Sequence, residues 1–534
     1  MAKTLDETAV EVAEAYLSAI STTNPPPAAD IKADMLLQTR AVIEIENLAL
    51  PKKQQWDMPK ALYPVQIAMT INYLYDVRRI AMGGLEQDPE GDILAIYNRD
   101  GINEGIYTDD DEKLKSLIFE LNKLALPKDI SQVMMILRMQ AERVERTKDE
   151  NLVPLNNGIF DFDTKTLLPF SPDYVFTVKS HVDYNPAATN VTIHNSEDGT
   201  DWDVESWMKS LSDDPEIVET LWAVFAATLR CNHPWDRSVW LFSETGNNGK
   251  GTFCELLRAL LGKGAYTSLA LNDFSKDFML EGLETVSAII TDENDVGVFI
   301  DKGANLKAII TGDVIKVNRK FKKAIALRYS GMVIQCVNEV PRLKDKSDSL
   351  YRRLLVIPMS KCFTGMERKY IKHDYVHRQE VLEYVAYKVL NMDLDKLPEP
   401  EASKRALGEY KVMNDPVRQF VDEVLPECQW DLLPYQFLYA LYKEWFKETN
   451  PSGIVMGKNS FLHDLKVMLR SSEDWEIIDN TGTALPASTH MTAPEPLIAR
   501  YGLKEWMNPL YTGHDVDKIC LTAQNKSYRG LVRK

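Results

Sequence analysis

Residues 246–252, Gly-Asn-Asn-Gly-Lys-Gly-Thr, place a lysine directly after a glycine-rich loop. An apolar run of strand length, 239–242, precedes the loop, and apolar residues at helical spacing follow it from Phe253 to Leu261. In such a strand–loop–helix, backbone N–H groups and the helix N-terminus can surround a phosphate, and Lys250 can reach the β- and γ-phosphates of a nucleotide. The residues predicted to bind the cofactor are Gly246, Asn247, Asn248, Gly249, Lys250, Gly251 and Thr252.

The loop departs from the usual phosphate-loop pattern at two positions. Glu244 stands where the pattern has glycine, and Gly251 stands where it has a magnesium-binding hydroxyl. Thr252, one position later, is the candidate to supply that hydroxyl. The alternative is an ordinary strand–turn–helix with turn-forming Asn and Gly, so the rest of a nucleotide site must be found elsewhere in the chain.

A second apolar strand, 286–291, ends in two acids, Asp292 and Glu293. A nucleotide hydrolase uses one carboxylate to hold Mg²⁺ and a second to polarise the attacking water. The predicted metal ligands are therefore Asp292 and Thr252. A solvated acidic turn is the alternative, but the position of the acids after a glycine loop favours the site.

A third apolar strand, 332–337, ends in Asn338, whose amide can orient the attacking water. Arg352 and Arg353 precede a further strand at 354–357, and an arginine can stabilise charge on a transferring phosphoryl group. A structural ion pair is the alternative for either arginine. The predicted catalytic residues are Lys250, Asp292, Glu293, Asn338, Arg352 and Arg353.

Basic residues concentrate in 302–328, where two short strands indicate a hairpin with 320–323 at its tip. In an acidic protein, a projecting basic loop with an aromatic residue is suited to grip a phosphate backbone and to stack on a base. A solvated surface hairpin is the alternative. The predicted nucleic-acid contacts are Lys316, Arg319, Lys320, Phe321, Lys322 and Lys323.

Composition sets the broad class of the protein. The net charge of −17 argues against a protein that coats nucleic acid with its outer surface, but allows a local basic site. Six dispersed cysteines without a C-x-x-C pair indicate reduced thiols in a bacterial or host cytosol. No run is apolar and long enough to span a bilayer, and the first residues lack a signal pattern. We therefore expect a cytoplasmic protein with no membrane partner.

The coarse pattern of elements predicts four regions: 1–90, helical; 91–200, mixed α/β; 201–394, carrying the motifs above; and 395–534, beyond a proline-rich linker. The last region has helices followed by a final strand, which is compatible with a winged helix. Its candidate phosphate contacts are Lys458, Lys466 and Arg470. A packing or oligomerisation domain is the alternative there.

Taken in order, these motifs resemble the superfamily 3 helicases, specifically the phage/plasmid and poxvirus-type primase–helicase C-terminal family. The resemblance extends over 90–534 and is strongest over 237–358. It is carried by GNNGKGT, AIITDEND, LKAIITGDVIKVNRKFKK, VIQCVNEVP and YRRLLVIP.

The resemblance implies an AAA+-like α/β ATPase core, a parallel sheet flanked by helices, with a helical N-terminal region and a winged-helix-like C-terminal domain. It implies ATP and Mg²⁺ as cofactors and a ring, commonly a hexamer, that moves on single-stranded and forked DNA. Lys320–Lys323 would then form a pore hairpin, Asn338 the sensor, and Arg352 or Arg353 the finger reaching a neighbouring subunit.

Two functions follow from the resemblance. The first is a replicative DNA helicase of a phage, plasmid or mobile element. The second is a replication initiator whose C-terminal domain binds origin duplex DNA and whose ATPase controls assembly rather than unwinding. Residues 1–150 contain no acidic constellation typical of a primase, so primer synthesis is not expected.

Overall fold

The computed structural model describes residues 3–534 apart from 23, 295–298, 301–302, 321, 339–340, 344–347, 450–454, 471, 479–482 and 521–525. The chain forms two compact units, Met1–Ala406 and Leu407–Lys534. Among the described residues, no helix combines the length and the apolar character needed to cross a bilayer.

The first part of the larger unit packs five helices around a four-stranded sheet. The apolar faces of the helices share one core, which includes Ile67, Ile71, Leu114 and Val133. The strand order is β3-β2-β1-β4, with β4 parallel to β1 and the other pairs antiparallel. The elements are α1 (Leu5–Ser18), α2 (Ala28–Ala49), α3 (Pro64–Leu74), β1 (Val77–Ala81), β2 (Ile93–Tyr97), β3 (Tyr107–Thr108), α4 (Asp111–Leu121), α5 (Pro127–Gln140) and β4 (Glu142–Glu145).

This sheet crosses the boundary predicted at residue 90. Strands β2 and β3 form a hairpin around Asp100-Gly101, with Gly101 at φ 74°. β1 lies before residue 90 and pairs with both β2 and β4, so residues 77–145 form one sheet. Sequence reasoning placed 30–90 among helices because the apolar face of α3 continues into β1 without a break in composition.

Short antiparallel strands and two helices lead into the central sheet. Helix α7 is buried along most of its length, which explains its apolar composition without a membrane. The elements are β5 (Leu152–Leu155), β6 (Gly158–Asp161), β7 (Thr166–Leu168), β8 (Ile193–Asn195), β9 (Thr200–Trp202), α6 (Val204–Ser210) and α7 (Pro215–Leu229).

The central sheet has five parallel strands in the order β11-β12-β16-β10-β18. The elements of this region are β10 (Ser238–Phe242), α8 (Lys250–Leu261), β11 (Tyr266–Thr267), β12 (Ala288–Thr291), β13 (Phe299–Ile300), α9 (Ala304–Thr311), β14 (Val314–Val317), β15 (Ile325–Arg328), β16 (Met332–Val337), β17 (Arg342–Leu343), α10 (Asp348–Tyr351), β18 (Leu354–Pro358), α11 (Lys369–His373) and α12 (Gln379–Leu390). Strands β10, β12 and β16 are buried along nearly their whole length, as expected for a sheet covered on both faces.

The smaller unit has its own aromatic core, in which the rings of Phe420, Tyr442 and Phe461 are in contact. Its three-stranded antiparallel sheet has the order β19-β23-β20. The remaining elements are α13 (Glu401–Asn414), which begins before the unit boundary, α14 (Pro416–Glu423), β19 (Leu432–Pro434), α15 (Tyr435–Thr449), α16 (Lys458–Leu469), β20 (Trp475–Ile477), β21 (Leu485–Pro486), α17 (Ala487–His490), α18 (Pro496–Arg500), α19 (Val516–Ile519), β22 (Ser527–Tyr528) and β23 (Gly530–Arg533).

Candidate functional site

The predicted glycine loop, Asp292 and Asn338 lie at the ends of three neighbouring strands, at one edge of the parallel sheet. The glycine loop follows β10, Asp292 follows β12, and Asn338 follows β16, which lies between those two strands. Because the carboxyl ends of parallel strands meet at the same edge, side chains far apart in sequence are brought together there. Ligands of open α/β sheets bind at such edges.

The loop adopts left-handed backbone at two positions before α8 begins. Asn247 has φ 55° and Gly249 has φ 86°. A Cβ atom at Gly249 would lie 2.6 Å from Leu211 Cδ2, so glycine is required there both by conformation and by space. The Asn248 side chain is buried and accepts from the Lys250 backbone N–H at 3.4 Å, and therefore braces the loop from within.

Lys250 is buried, with 6% of the residue exposed. Its Nζ donates to Asn338 Oδ1 at 2.8 Å and to the Ser243 carbonyl oxygen at 3.4 Å. Burial lowers the pKa of this lysine. All of its hydrogen-bond partners in the described part of the chain are neutral oxygens, so the positive charge remains available to an anion at the loop.

Asp292 is engaged by an arginine that the sequence motifs did not predict. Arg258, on α8, donates to both carboxylate oxygens of Asp292 at 2.7 and 2.8 Å and to the Ile290 carbonyl oxygen at 3.3 Å. The hydrogen bonds and charge of Asp292 outweigh burial and raise the pKa of Arg258. Arg258 follows Lys250 by about two helical turns, so helical spacing could have suggested that it faces the same edge.

Glu293 is exposed, and the next residue, Asn294, anchors the segment to β16. The Asn294 amide donates to Gln335 Oε1 and to the Cys336 carbonyl oxygen, both at 3.0 Å, and its Oδ1 accepts from the Leu271 N–H at 2.9 Å. Asn294 was not predicted, because its role depends on contacts with other strands. It fixes the backbone immediately after the two acids.

Two buried thiols lie between α8 and β16. The Sγ atoms of Cys254 and Cys336 are 3.5 Å apart, and these atoms and a carboxylate oxygen of Asp292 all lie within 4.8 Å of one another. The contact with Cys336 and burial raise the pKa of the Cys254 thiol. Since the thiols contact each other and Arg258 holds both oxygens of Asp292, these three groups already have partners within the protein.

A cavity of about 740 Å³ adjoins the loop on the other side of α8. Its lining includes Trp202, Trp207 and Phe363, together with Thr252. Thr252 is two residues from Lys250, which is about 200° around a helix, so it faces this cavity and is not brought together with Asp292. The cavity has the volume and mixed lining of a small-molecule site.

Residues 363–372 close over the loop. Asn247 donates to Thr364 Oγ1 at 3.2 Å and to Glu367 Oε1 at 3.0 Å. A Cβ atom at Gly251 would lie 3.3 Å from Lys372 Nζ. The glycine that replaces the usual hydroxyl residue therefore leaves room for a second lysine at the start of α8.

The two predicted arginines have different environments. Arg353 is partly buried, donates to the Ser349 carbonyl oxygen, and accepts from the Ser238 N–H through its own carbonyl oxygen at 2.7 Å. Arg352 is exposed. The structure therefore leaves Arg352, but not Arg353, with its side chain directed to the surface.

The predicted basic hairpin is formed by β14 and β15, but it does not project. β15 lies against the N-terminal part of the chain, where the Arg328 N–H donates to the Met82 carbonyl oxygen at 3.0 Å. A Cβ atom at Gly83 would lie 2.8 Å from Ala326 Cβ. The hairpin therefore packs against a segment that is distant in sequence. The local charge pattern could not reveal this contact.

Acidic side chains of the N-terminal part form ion pairs with the basic side chains of this hairpin. Lys323 Nζ lies 2.8 Å from Glu90, and Lys322 and Arg319 lie 3.5 and 3.9 Å from Asp109. The Lys320 N–H donates to Glu281 at 3.3 Å. Lys316 is exposed, and Phe321 lies outside the described residues.

Other candidates are dispersed. His373 and His377 are four residues apart, a spacing that could place both on one metal, but His377 lies 3.4 Å from Glu255 and His373 lines the large cavity. In the smaller unit, Lys466 Nζ lies 4.6 Å from the centre of the Tyr435 ring, and Lys458 and Arg470 are exposed.

The fold and the edge residues together have the layout of an α/β protein with a phosphate-binding loop. Comparison with known families matches three parts of the chain. Residues 67–213 match "D5 N terminal like", 241–353 match a family of unknown function (DUF5906), and 413–481 match "Poxvirus D5 protein-like".

Individual relatives are distant. A protein of Acanthamoeba polyphaga mimivirus that is named as a helicase is 24% identical over 237 residues, which is 43% of this chain and 23% of that protein. The chain thus matches less than a quarter of the length of this curated relative. Solved apo structures of the NrS-1 C terminal region include one with 14% identity, covering 76% of this chain and 86% of the other, at a TM-score of 0.41. Another has 12% identity, 79% and 97% coverage, and a TM-score of 0.44.

The family matches flank and include the glycine loop at 246–252. Over residues 67–213 and 413–481 the chain is thus similar to the D5-type primase–helicase family.

Proposed function

We propose that this protein is an ATP-dependent DNA helicase acting in the replication of a phage, plasmid or other mobile element. The observation that carries the proposal is Lys250, a buried lysine at a glycine loop whose Nζ is held by Asn338. A lysine in this position binds the β- and γ-phosphates in phosphate-loop proteins. The matches to the D5 family models and the similarity to a mimivirus protein named as a helicase support unwinding as the use of the nucleotide.

The residues present fit ATP. Gly249 and Asn247 shape the loop, Lys250 offers an uncompensated charge, and the cavity lined by Trp207 and Phe363 has room for a nucleoside. ATP, when bound, supplies the phosphoryl group whose hydrolysis releases the energy for movement. Asn338 and Glu293 are proposed to orient and activate the attacking water.

The fit to Mg²⁺ is poorer. Arg258 takes both oxygens of Asp292, and Thr252 lines the cavity proposed for the nucleoside, away from Asp292. Binding of Mg²⁺ by Asp292 therefore requires Arg258 to release the carboxylate, and Thr252 lies on the wrong side of α8 to share the ion.

We further propose that subunits assemble as a ring, with the strand passing along the basic hairpins. The exposed position of Arg352 supports it, rather than Arg353, as the finger that reaches the ATP of a neighbour. A net charge of −17 is compatible with DNA binding confined to a channel.

ATP hydrolysis by Lys250→Ala tests the nucleotide site. We expect turnover to fall by about a hundredfold or more, because a charge that stabilises the transferring phosphoryl group is removed. Lys179→Ala is the matched control: Lys179 is also buried, and its Nζ donates to the Glu104 carbonyl oxygen at 2.8 Å. Wild-type turnover in Lys250→Ala would refute the site, whereas a loss in both variants would indicate a general effect of removing a buried lysine.

A second candidate function is an origin-binding initiator whose ATPase controls assembly. Its support is that Glu90 and Asp109 neutralise hairpin cations and that residues 407–534 form a separate unit that could bind duplex DNA. Sequence-specific binding of duplex DNA with ATP hydrolysis but without strand separation would favour this function over the first.

A further inference from the structure

A second cavity lies away from the phosphate loop, where the N-terminal sheet meets the central region. Its volume is about 280 Å³. The walls are formed by the ends of β1 and β4, the segment 231–237 that follows α7, the end of α9, and residues 328–331 after β15. No residue of the proposed ATP site lines it.

Basic side chains predominate in this lining, and most have an acidic partner. The pairs are Lys148 with Glu145, His233 with Glu150 at 2.9 Å, Arg237 with Glu399, and Arg328 with Glu86 at 3.7 Å. Of the two acids in the lining, Glu145 belongs to one of these pairs and Asp236 is exposed.

Arg146 differs from the other basic residues of the cavity. Across the described ranges of the chain, no carboxylate lies within ion-pair distance of it, and its guanidinium donates to the backbone carbonyl oxygen of Arg328. Arg146 is half-buried, and its partial removal from water lowers its pKa, yet a guanidinium remains charged in proteins. A charge withdrawn from water without a counter-ion is costly, so an anion in the cavity would stabilise it.

The groups beside Arg146 are neutral. Burial raises the pKa of the Cys231 thiol to about 11 and raises the pKa of Tyr329 as well. The Tyr329 hydroxyl is buried and has no hydrogen-bond partner within the described structure. Neither neutral group can serve as the counter-ion of Arg146. The Tyr329 hydroxyl adds to the same cavity wall a polar group whose hydrogen-bonding capacity is not satisfied by the described residues.

We propose that this cavity binds a phosphate group through Arg146. A planar guanidinium donates two parallel hydrogen bonds to phosphate oxygens, which makes it the preferred side chain for this anion. The Ser330 hydroxyl lies in the same lining and offers a further donor. The volume admits a phosphate with an attached sugar, so the group can belong to a free nucleotide or phosphate ion or to the backbone of a nucleic acid strand.

Calorimetric titration with three probes tests the proposal: inorganic phosphate, thymidine 5′-monophosphate, and single-stranded oligothymidylate without terminal phosphates. All titrations use full-length Lys250→Ala protein, so that the phosphate loop contributes little. Adding Arg146→Gln should weaken binding of at least one probe by about tenfold or more, because the paired, charge-assisted hydrogen bonds from the guanidinium to the phosphate are lost. Arg237→Gln, at the rim of the same cavity but paired with Glu399, should change it little.

The probes separate the two sources of phosphate. Loss confined to phosphate and the mononucleotide assigns a free ligand, and loss confined to the oligonucleotide assigns the nucleic-acid backbone. Equal affinity for every probe with and without Arg146→Gln, or no binding by either protein, overturns the proposal. If Arg146→Gln does not fold, Arg146→Lys can be used instead. It keeps the positive charge but cannot donate two parallel hydrogen bonds, so it should still weaken binding. The readout needs no ATP turnover, so it is independent of the proposed helicase function.

Discussion

Lys250 brings a positive charge into the protein interior and contacts only neutral oxygens in the described structure. Burying a charge without a counter-ion costs free energy, so the phosphate of the proposed nucleotide would stabilise the site. The bond from Lys250 to Asn338 joins the loop after β10 to the end of β16 before any ligand binds. The site is therefore pre-positioned, which reduces the reorganisation needed for catalysis.

Gly249 gives the loop its shape, and alanine there should destabilise the protein. A Cβ atom at this position would lie 2.6 Å from Leu211 Cδ2. The backbone there has φ 86°, a conformation that alanine disfavours. We expect Gly249→Ala to lower the free energy of unfolding by roughly 1–3 kcal/mol and to reduce ATP binding. Chemical denaturation measures the first effect. Gly246→Ala is the control, because a Cβ there has open space and no positive φ. Equal stability of the two variants would contradict this account of the loop.

Arg258 and Asp292 form a partly buried, two-bond ion pair at the edge of the sheet. Arg258→Gln leaves Asp292 without its partner and should lower the free energy of unfolding by about 1–2 kcal/mol, a value reduced for the partial exposure of Asp292. Thermal unfolding checks this. Arg378→Gln removes the surface pair with Asp374 and should have a smaller effect. A larger loss for Arg378→Gln would show that the Arg258 pair has no special structural role.

The β14–β15 hairpin shows how an element can be correctly predicted while its surroundings are not. The alternation of residues around 314–317 and 325–328 predicts two paired strands, and they are present. Its cations are matched by Glu90 and Asp109, which lie more than two hundred residues earlier. The Lys323–Glu90 pair is exposed and therefore weak, so a nucleic acid strand can compete for that cation, whereas Asp109 and Arg319 are mostly buried.

Removal of those acids should strengthen binding of single-stranded DNA. We expect Glu90→Gln combined with Asp109→Asn to raise affinity about three- to tenfold at low salt, because hairpin cations are released for phosphate contacts. Fluorescence anisotropy with a labelled oligonucleotide measures this, and the gain should shrink as salt rises. Glu112→Gln, which removes an acid paired with Lys115 instead, is the control. An equal gain in the control would point to net charge rather than to the hairpin.

Sequence reasoning recovered the strands, the glycine loop and the helix that follows, because their signals are local. Strand-length apolar runs, the spacing from Phe253 to Leu261 and the residues at strand ends all act within a few positions. The partners of Asp292, the closure by residues 363–372 and the packing of the hairpin depend on contacts between distant segments. No periodicity in one segment contains that information, and Thr252 was assigned to the metal without knowing which side of α8 faces the acids.

At the scale of the whole molecule, the proposed ring requires Lys250 and Arg352 to act from different subunits. Each single variant, Lys250→Ala or Arg352→Ala, should lose ATPase activity. In an equimolar mixture, about a quarter of the interfaces should pair an intact Lys250 with an intact Arg352, so activity should recover to that order. Steady-state ATP hydrolysis of the mixture measures this recovery. No recovery despite subunit exchange would place both residues in one subunit or exclude Arg352 as the finger.

The central claim is that phosphate-loop chemistry at Lys250 drives strand separation, and unwinding of a forked duplex tests it most directly. The measurement is release of a labelled strand by wild type, Lys250→Ala and Lys179→Ala, each with and without ATP. The account predicts ATP-dependent release by wild type and Lys179→Ala and none by Lys250→Ala. Release by Lys250→Ala at the wild-type rate, or release by wild type without ATP, would contradict it.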